Sequence, residues 1–191
     1  SDLTITVTIT DTNDQRPVYQ AADGDDTFSV AENTATSTVI DNGVITDTDT
    51  TGTLGCTLGG ADSGDFTCTI SGNNAQLKFA ALTNYDIAAD DETNNVYIVT
   101  VLINDGVAND ANGATTLTIT VTDANDQTPT YSSSDTTPSG AENTAQVEVV
   151  SITDTDTGDS NSYTHGGTDA GYLRCPVTAK AYTENYAPGP N

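Results

Sequence analysis

The sequence has very little positive charge. Four Lys and Arg residues stand against 28 Asp and Glu residues, which gives a formal net charge of −24 at pH 7. Nucleic acids and anionic membranes would repel such a chain, so we expect neither as a partner. The missing counter-charge has to come from solution, and a divalent cation is the obvious source. A generic acidic surface that keeps the protein soluble is the alternative.

Other scarcities exclude further classes. No apolar run approaches the roughly 20 residues that a membrane-spanning helix needs. His165 is the only histidine, and it lies in no triad-like context, so nothing indicates a hydrolase. Paired carboxylates are typical of glycosidases, but here they recur in repeated segments instead of marking one cleft. We therefore predict that the protein is not an enzyme.

Three cysteines are too few for a disulfide scaffold, and their spacing does not suit zinc. Cys56 and Cys68 fall in neighbouring strand-like segments. A bridge between them is a reasonable expectation in an oxidising compartment, and two buried thiols are the alternative. Cys175 has no partner in its own part of the chain, which leaves a buried thiol or an intermolecular bridge.

The apolar residues follow a period of two. Leu3, Ile5, Val7 and Ile9 alternate with threonine, and residues 117–121 repeat the pattern. Such alternation predicts β-strands with one apolar face, and no segment has a helical period. Further strands are predicted at residues 28–30, 38–40, 65–70, 76–79 and 96–103. Many short strands separated by Gly, Asn and Asp predict an all-β sandwich.

The chain contains an internal repeat. Four segments return at offsets of 107 to 112 residues: 11–19 as 123–131, 31–35 as 141–145, 47–50 as 154–157, and 59–62 as 166–169. Self-similarity at a fixed period indicates tandem modules. We predict a last strand and linker of a module at 1–14, a complete module at 15–126, and an incomplete module at 127–191.

An acidic motif, Asp-x-Asn-Asp-Gln-x-Pro, lies at both module boundaries, at residues 11–17 and 123–129. Closely spaced carboxylate and amide oxygens suit a hard cation with six to eight oxygen ligands. Calcium fits better than magnesium, because the ligands would come from several loops.

Together with the Ala-Glu-Asn elements and the Asp-Thr-Asp pairs, this motif resembles cadherin repeats. The sequence of residues 58–66 is most similar to bacterial and marine cadherin-like domains. The resemblance implies extracellular, calcium-binding, immunoglobulin-like Greek-key sandwiches that act in cell adhesion. It departs from the family at residues 82–86, Leu-Thr-Asn-Tyr-Asp, where an Asp and a Glu are expected to be separated by one residue. Gln15 and Gln127 also replace the last Asn of the linker, a position expected to offer a backbone carbonyl.

The resemblance also implies two sets of calcium ligands. The junction between the two modules would use Glu32, Asn84, Asp86, Asp123, Asn125, Asp126, Asp154 and Asp156. The other junction would use Asp11, Asn13, Asp14, Asp47, Asp49 and Asp105. Glu142 would join the set that contains Asp11 only if the last module of a neighbouring chain lies upstream.

Two structural roles follow as hypotheses. In the first, the chain is a filament subunit, and the strand that carries Leu3, Ile5, Val7 and Ile9 completes the incomplete module of the next copy by donor-strand addition. In the second, the sequence is part of a long calcium-dependent surface adhesin with protein or glycan partners. A carbohydrate- or ice-binding module, which outward threonines would permit, is a third possibility of a different class.

Overall fold

The computed structural model describes residues 2–108, 110–133, 137, 139–143, 148–156, 164, 166–168, 173–174, 177–178 and 181–186. His165 and Cys175, which the sequence analysis considered, lie outside these residues. The chain forms two compact units, Ser1–Asp123 and Ala124–Asn191. None of the helical segments in the described residues is long and apolar enough to cross a membrane.

Unit 1 contains eight strands among its described residues. They are β1 (Val18–Gln20), β2 (Thr27–Ala31), β3 (Asp41–Thr46), β4 (Gly55–Gly59), β5 (Phe66–Ser71), β6 (Asn74–Phe79), β7 (Val96–Asn104) and β8 (Thr115–Thr122). One sheet has the order β1-β3-β6-β5 and the other the order β2-β8-β7-β4. All neighbours are antiparallel except β2 and β8, which are parallel. The all-β sandwich predicted from the sequence is confirmed.

The core of unit 1 follows from the period of two. Leu117, Ile119 and Val121 of β8 are at most 1% exposed, while the threonines between them point away from the core. Three aromatic rings lie beside this aliphatic layer. The Phe66 and Phe79 rings stack with centroids 4.8 Å apart, and the Tyr97 ring meets both of them edge-on. Burial of these side chains supplies the main favourable term for folding.

A disulfide joins Cys56 of β4 to Cys68 of β5. These strands form the edge of one sheet and the edge of the other. The bond therefore links the two layers of the sandwich on one side.

Two predicted strands are not strands in the structure. Residues 38–40 follow a turn that is closed by a hydrogen bond from the Thr38 amide to the Ala35 carbonyl, and the strand begins only at Asp41. Residues 3–9 belong to no sheet, and their apolar side chains are 75–92% exposed. An alternating pattern forms a strand only where neighbouring strands can pair with it.

Unit 2 is also a β-structure where it is described. Its strands are β9 (Thr130–Ser133), β10 (Glu148–Thr153), β11 (Leu173–Arg174), β12 (Val177–Thr178) and β13 (Ala181–Tyr186). The sheet order is β11-β13-β10-β9, and β12 also pairs with β13. Every pairing is antiparallel.

The disulfide should make a measurable contribution to stability. Because Cys56 and Cys68 are separated by 12 residues, the bridge closes a short loop, and its removal should cost about 3 kcal/mol of unfolding free energy. We expect Cys56→Ala/Cys68→Ala to unfold at lower urea concentration, as measured by circular dichroism. Cys175→Ala is the matched control. Equal midpoints for wild type and the double variant would contradict the prediction.

Candidate metal centre

Three segments of unit 1 meet around a group of acidic and amide side chains. They are the segment 11–15, the loop 47–53 that follows β3, and the turn 105–108 that follows β7. We call this group the linker site. It contains five of the residues that the sequence analysis assigned to one calcium junction: Asp11, Asn13, Asp47, Asp49 and Asp105.

Hydrogen bonds hold the segment 11–15 against the loop after β3. The Thr50 amide and hydroxyl donate to Asp11 Oδ2 over 2.6 and 2.7 Å, and these bonds lower the pKa of the Asp11 carboxyl. The Gln15 amide donates to Asp49 Oδ2 over 2.7 Å. The Asp49 amide in turn donates to Asp47 Oδ1 over 3.1 Å, a local turn that fixes the spacing of the two carboxylates.

Asp105 is the buried centre of the linker site, with 1% of its surface exposed. Its Oδ1 atom accepts hydrogen bonds from the amides of Val107 and Ala108 over 2.8 and 2.7 Å. These amides lower the pKa of the Asp105 carboxyl below its ordinary value, because they favour the charged form. The Asp105 backbone carbonyl accepts from Asn13 Nδ2 over 3.2 Å and from the Thr53 amide over 3.0 Å.

Two oxygens at the linker site are buried without a hydrogen-bond partner in the described part of the chain. They are Asn13 Oδ1 and Asp105 Oδ2. Leaving a buried carboxylate oxygen unsatisfied is costly, and a bound cation removes that cost. The donor set contains only carboxylate and amide oxygens, which fits a hard divalent cation. The linker site can therefore hold such an ion.

A second acidic group in unit 1 gathers Glu32, Asp86 and Asp123. Carboxylate oxygens of Asp86 lie within 4.8 Å of those of Glu32 and of Asp123. Glu32 is 3% exposed, and its Oε2 atom accepts from the Tyr85 amide over 2.7 Å. Like charges this close repel strongly in a partly buried setting, so this group also suits a cation. Asn84 lies beside it, with its Oδ1 atom bonded to the Ile87 amide over 2.9 Å.

Unit 2 repeats the hydrogen-bond pattern of the linker site. The Gln127 amide donates to Asp156 Oδ2 over 3.0 Å, as the Gln15 amide does to Asp49. The Asp156 amide donates to Asp154 Oδ1 over 3.3 Å, as the Asp49 amide does to Asp47. Asp156 is 1% exposed and Asp154 is 9% exposed, and Asp154 Oδ2 has no partner among the described residues. The sequence repeat thus preserves a local geometry as well as residue types.

The remaining predicted ligands have exposed side chains: Asp14, Asn125, Asp126 and Glu142. Asp14 and Asp126 each accept a hydrogen bond from the side chain of the following glutamine, over 3.1 and 2.7 Å. Their role as metal ligands stays a prediction.

Two features of these acidic groups were not predicted from the sequence. The backbone N–H groups of Gln15 and Gln127, residues expected to offer backbone carbonyls, donate to the second carboxylate of the Asp-Thr-Asp pair. Thr50 was not singled out, although it holds Asp11 with two donors. The repeat could have indicated the glutamines, because both occupy the fifth position of the acidic motif.

The pKa shift of Asp105 predicts how stability depends on pH. Since its folded-state pKa lies below the unfolded value, its contribution is present above about pH 4 and is lost as the pH falls through the folded-state pKa. With chelator present, Asp105→Asn should be less stable than wild type near neutral pH, and the difference should shrink on acidification. Urea unfolding midpoints between about pH 7 and about pH 3 measure it. The exposed Asp2→Asn change is the control, and a difference that is constant with pH would contradict the prediction.

Comparison with known proteins bears on the fold. No protein-family profile and no curated protein matches the sequence. Among solved structures, protocadherin gammaB7 repeats EC3-6 match with a TM-score of 0.59 and 18% identity, covering 93% of this chain and 43% of that one. Mouse cadherin-23 EC22-24 matches with a TM-score of 0.61 and 22% identity, covering 93% and 56%. Human protocadherin-24 EC1-2 matches with a TM-score of 0.59 and 16% identity, covering 90% and 79%.

The chain spans less than half of the protocadherin gammaB7 structure that it matches. All three identities are too low to transfer a binding partner. The matched structures agree with the all-β sandwich predicted from the sequence. The chain has the fold of the cadherin repeats in these structures.

Proposed function

We propose that this chain is a calcium-stiffened, extracellular structural repeat of the adhesion type, without catalytic activity. The observation that carries the proposal is the pair of buried oxygens, Asn13 Oδ1 and Asp105 Oδ2, that have no partner in the described part of the protein. They lie where a linker segment meets two loops of a sandwich. A cation bound there would tie the linker to the unit.

Calcium suits the linker site better than other biological cations. The site offers no nitrogen or sulfur ligand among its residues, which disfavours zinc and copper. Magnesium keeps several waters and demands a strict octahedron. Calcium accepts more ligands in looser geometry, and it can draw on Asp11, Asp47 and Asp49 around Asp105.

We propose the same two sets of calcium ligands, one for each junction, that the resemblance implies. We assign Asp11, Asn13, Asp14, Asp47, Asp49 and Asp105 to the first junction, with Glu142 added where another chain's last module lies upstream. We assign Glu32, Asn84, Asp86, Asp123, Asn125, Asp126, Asp154 and Asp156 to the second. Ions shared between consecutive modules would restrict their relative motion, and they would offset the repulsion among these carboxylates.

Two observations support an extracellular setting. Cys56 and Cys68 form a disulfide, and disulfides persist in oxidising compartments but are rare in the cytosol. Several matched structures are described as extracellular, for example the protocadherin gammaB4 extracellular domain. The gammaB7 structure is described as a cis-dimer, and we propose self-association for this chain as well, with other surface proteins or glycans as further partners.

Calcium should bind and stabilise the protein. If calcium binds the folded state alone, free calcium at 100 times its Kd adds about 2.7 kcal/mol of stability. We expect isothermal titration to show binding to wild type, and Asp105→Asn to weaken it by at least about tenfold, or 1.4 kcal/mol. Asp23→Asn, an exposed change outside both groups, is the control. No heat of binding and no thermal shift with wild type would reject the proposal.

We further propose that residues 2–10 form the last strand of a sandwich that lacks one, in a head-to-tail filament. The sequence of residues 3–8, Leu-Thr-Ile-Thr-Val-Thr, is identical to that of residues 117–122 in β8. In β8 the apolar members of this sequence are at most 1% exposed, whereas Leu3, Ile5 and Val7 are 75–86% exposed. A strand slot like that of β8, between a parallel and an antiparallel neighbour, would bury them. The alternative is an adhesin in which the same segment fills that slot within one long chain.

A charge placed on either face of this segment separates these possibilities. We expect wild type with calcium to form filaments in electron micrographs, and Ile5→Asp/Val7→Asp to remain monomeric in sedimentation, because its charges would enter a core. Thr6→Asp/Thr8→Asp is the matched control, since the corresponding face of β8 points away from the core. Monomeric wild type, or filaments from the Ile5/Val7 variant, would contradict donor-strand assembly without affecting the calcium proposal.

A further inference from the structure

Gly52 lies directly beside the hydrogen bond that orients one proposed calcium ligand. It is an exposed residue of the loop after β3, and its φ of +114° is one that L-residues rarely adopt. A Cβ atom at this position would lie 2.5 Å from Asn13 Nδ2 and 2.9 Å from the Asp105 carbonyl oxygen. These two atoms are the donor and acceptor of the 3.2 Å hydrogen bond described above.

That hydrogen bond decides where the Asn13 oxygen points. The amide group of asparagine has one donor side and one acceptor side. With its NH2 group on the Asp105 carbonyl, Asn13 turns its Oδ1 atom to the other side, where it is buried and has no partner within the described residues. The Asp105 carbonyl also accepts from Thr53, the residue after Gly52. One carbonyl therefore positions both the amide ligand and the loop that carries Gly52.

We infer that Gly52 is a positioning residue of the linker site: the absence of a side chain lets the Asn13 amide reach the Asp105 carbonyl, which aims Asn13 Oδ1 at the cation. The inference rests on the proposed function, because it assumes that the linker site binds calcium. Gly52 itself offers no side-chain ligand. We infer that its effect on calcium binding passes through the Asn13 amide.

A simpler role for Gly52 would be to permit its backbone conformation alone. Gly113 provides the comparison, because its φ is +80° and nothing lies within 4 Å of a Cβ built on it. Gly72, with a φ of +59° and equally open surroundings, is a second one. Alanine at either position introduces the backbone strain without the contact.

The test is a double-mutant cycle read by calcium titration and by unfolding in chelator. Gly52→Ala should raise the calcium Kd by about tenfold or more, whereas Gly113→Ala and Gly72→Ala should leave it unchanged. All three should lower stability in chelator because of backbone strain, and Gly52→Ala should lower it most because it also loses the hydrogen bond between Asn13 and Asp105. Asn13→Ala should raise the Kd as well, and Gly52→Ala/Asn13→Ala should bind no more weakly than Asn13→Ala alone, because both changes remove the same interaction.

Each outcome is informative. If Gly52→Ala binds calcium with the same Kd as wild type, the inference is overturned and the calcium proposal is unaffected. If the double variant raises the Kd by the product of the two single effects, the inference is overturned as well, since Gly52 would then act independently of Asn13. Should Gly52→Ala fail to fold in chelator while Gly113→Ala folds, Gly52 serves the backbone of the loop and the inference is wrong. Absence of calcium binding to wild type removes the proposed function itself.

Discussion

Backbone N–H groups hold the buried carboxylates of unit 1, because the chain has only four Lys and Arg residues to pair with 28 acidic ones. Asp62 accepts from the amides of Asp91 and Ile98, and Asp90 accepts from those of Asn94 and Asn95. Charge-assisted hydrogen bonds of this kind are stronger than neutral ones. They let acidic residues fix loops that a less acidic protein would fix with ion pairs or apolar contacts.

Hydrogen bonding to the carboxylate oxygens distinguishes structural aspartates from candidate metal ligands. Asp41 and Asp110 have both carboxylate oxygens occupied by donors from the protein, and we regard them as structural. Asp105 has one oxygen occupied and one buried oxygen left over, which is the condition in which a cation lowers the free energy. Among the strands of unit 1, only Asp41 and Lys78 are charged residues. The negative charge is therefore carried almost entirely by the loops, where the two acidic groups lie.

The sequence predicted the fold class correctly, because the alternation of apolar and polar residues is a local signal. Alternation at 117–121 requires two faces, and the buried one became the core. The errors arose where pairing partners mattered. Residues 38–40 have strand-forming side chains, but they follow directly on a turn at residues 36–37, and the strand begins only at Asp41. Residues 3–8 have the same sequence as the buried part of β8 and yet remain outside any sheet, so sequence alone does not decide whether a strand forms.

Composition and spacing by themselves determined that the protein is acidic and repetitive, and they predicted its all-β fold. Closely spaced Asp and Asn in the repeated motif indicated a hard cation, and the resemblance to cadherin repeats implied which residues would bind it. Only the tertiary structure decided which oxygens remain available. Asn13 and Asp105 are 92 residues apart in sequence, and folding buries them together with one oxygen of each unsatisfied. The role assigned to Gly52 comes from the same source, because the close approach of a loop to a distant amide leaves no pattern in the sequence.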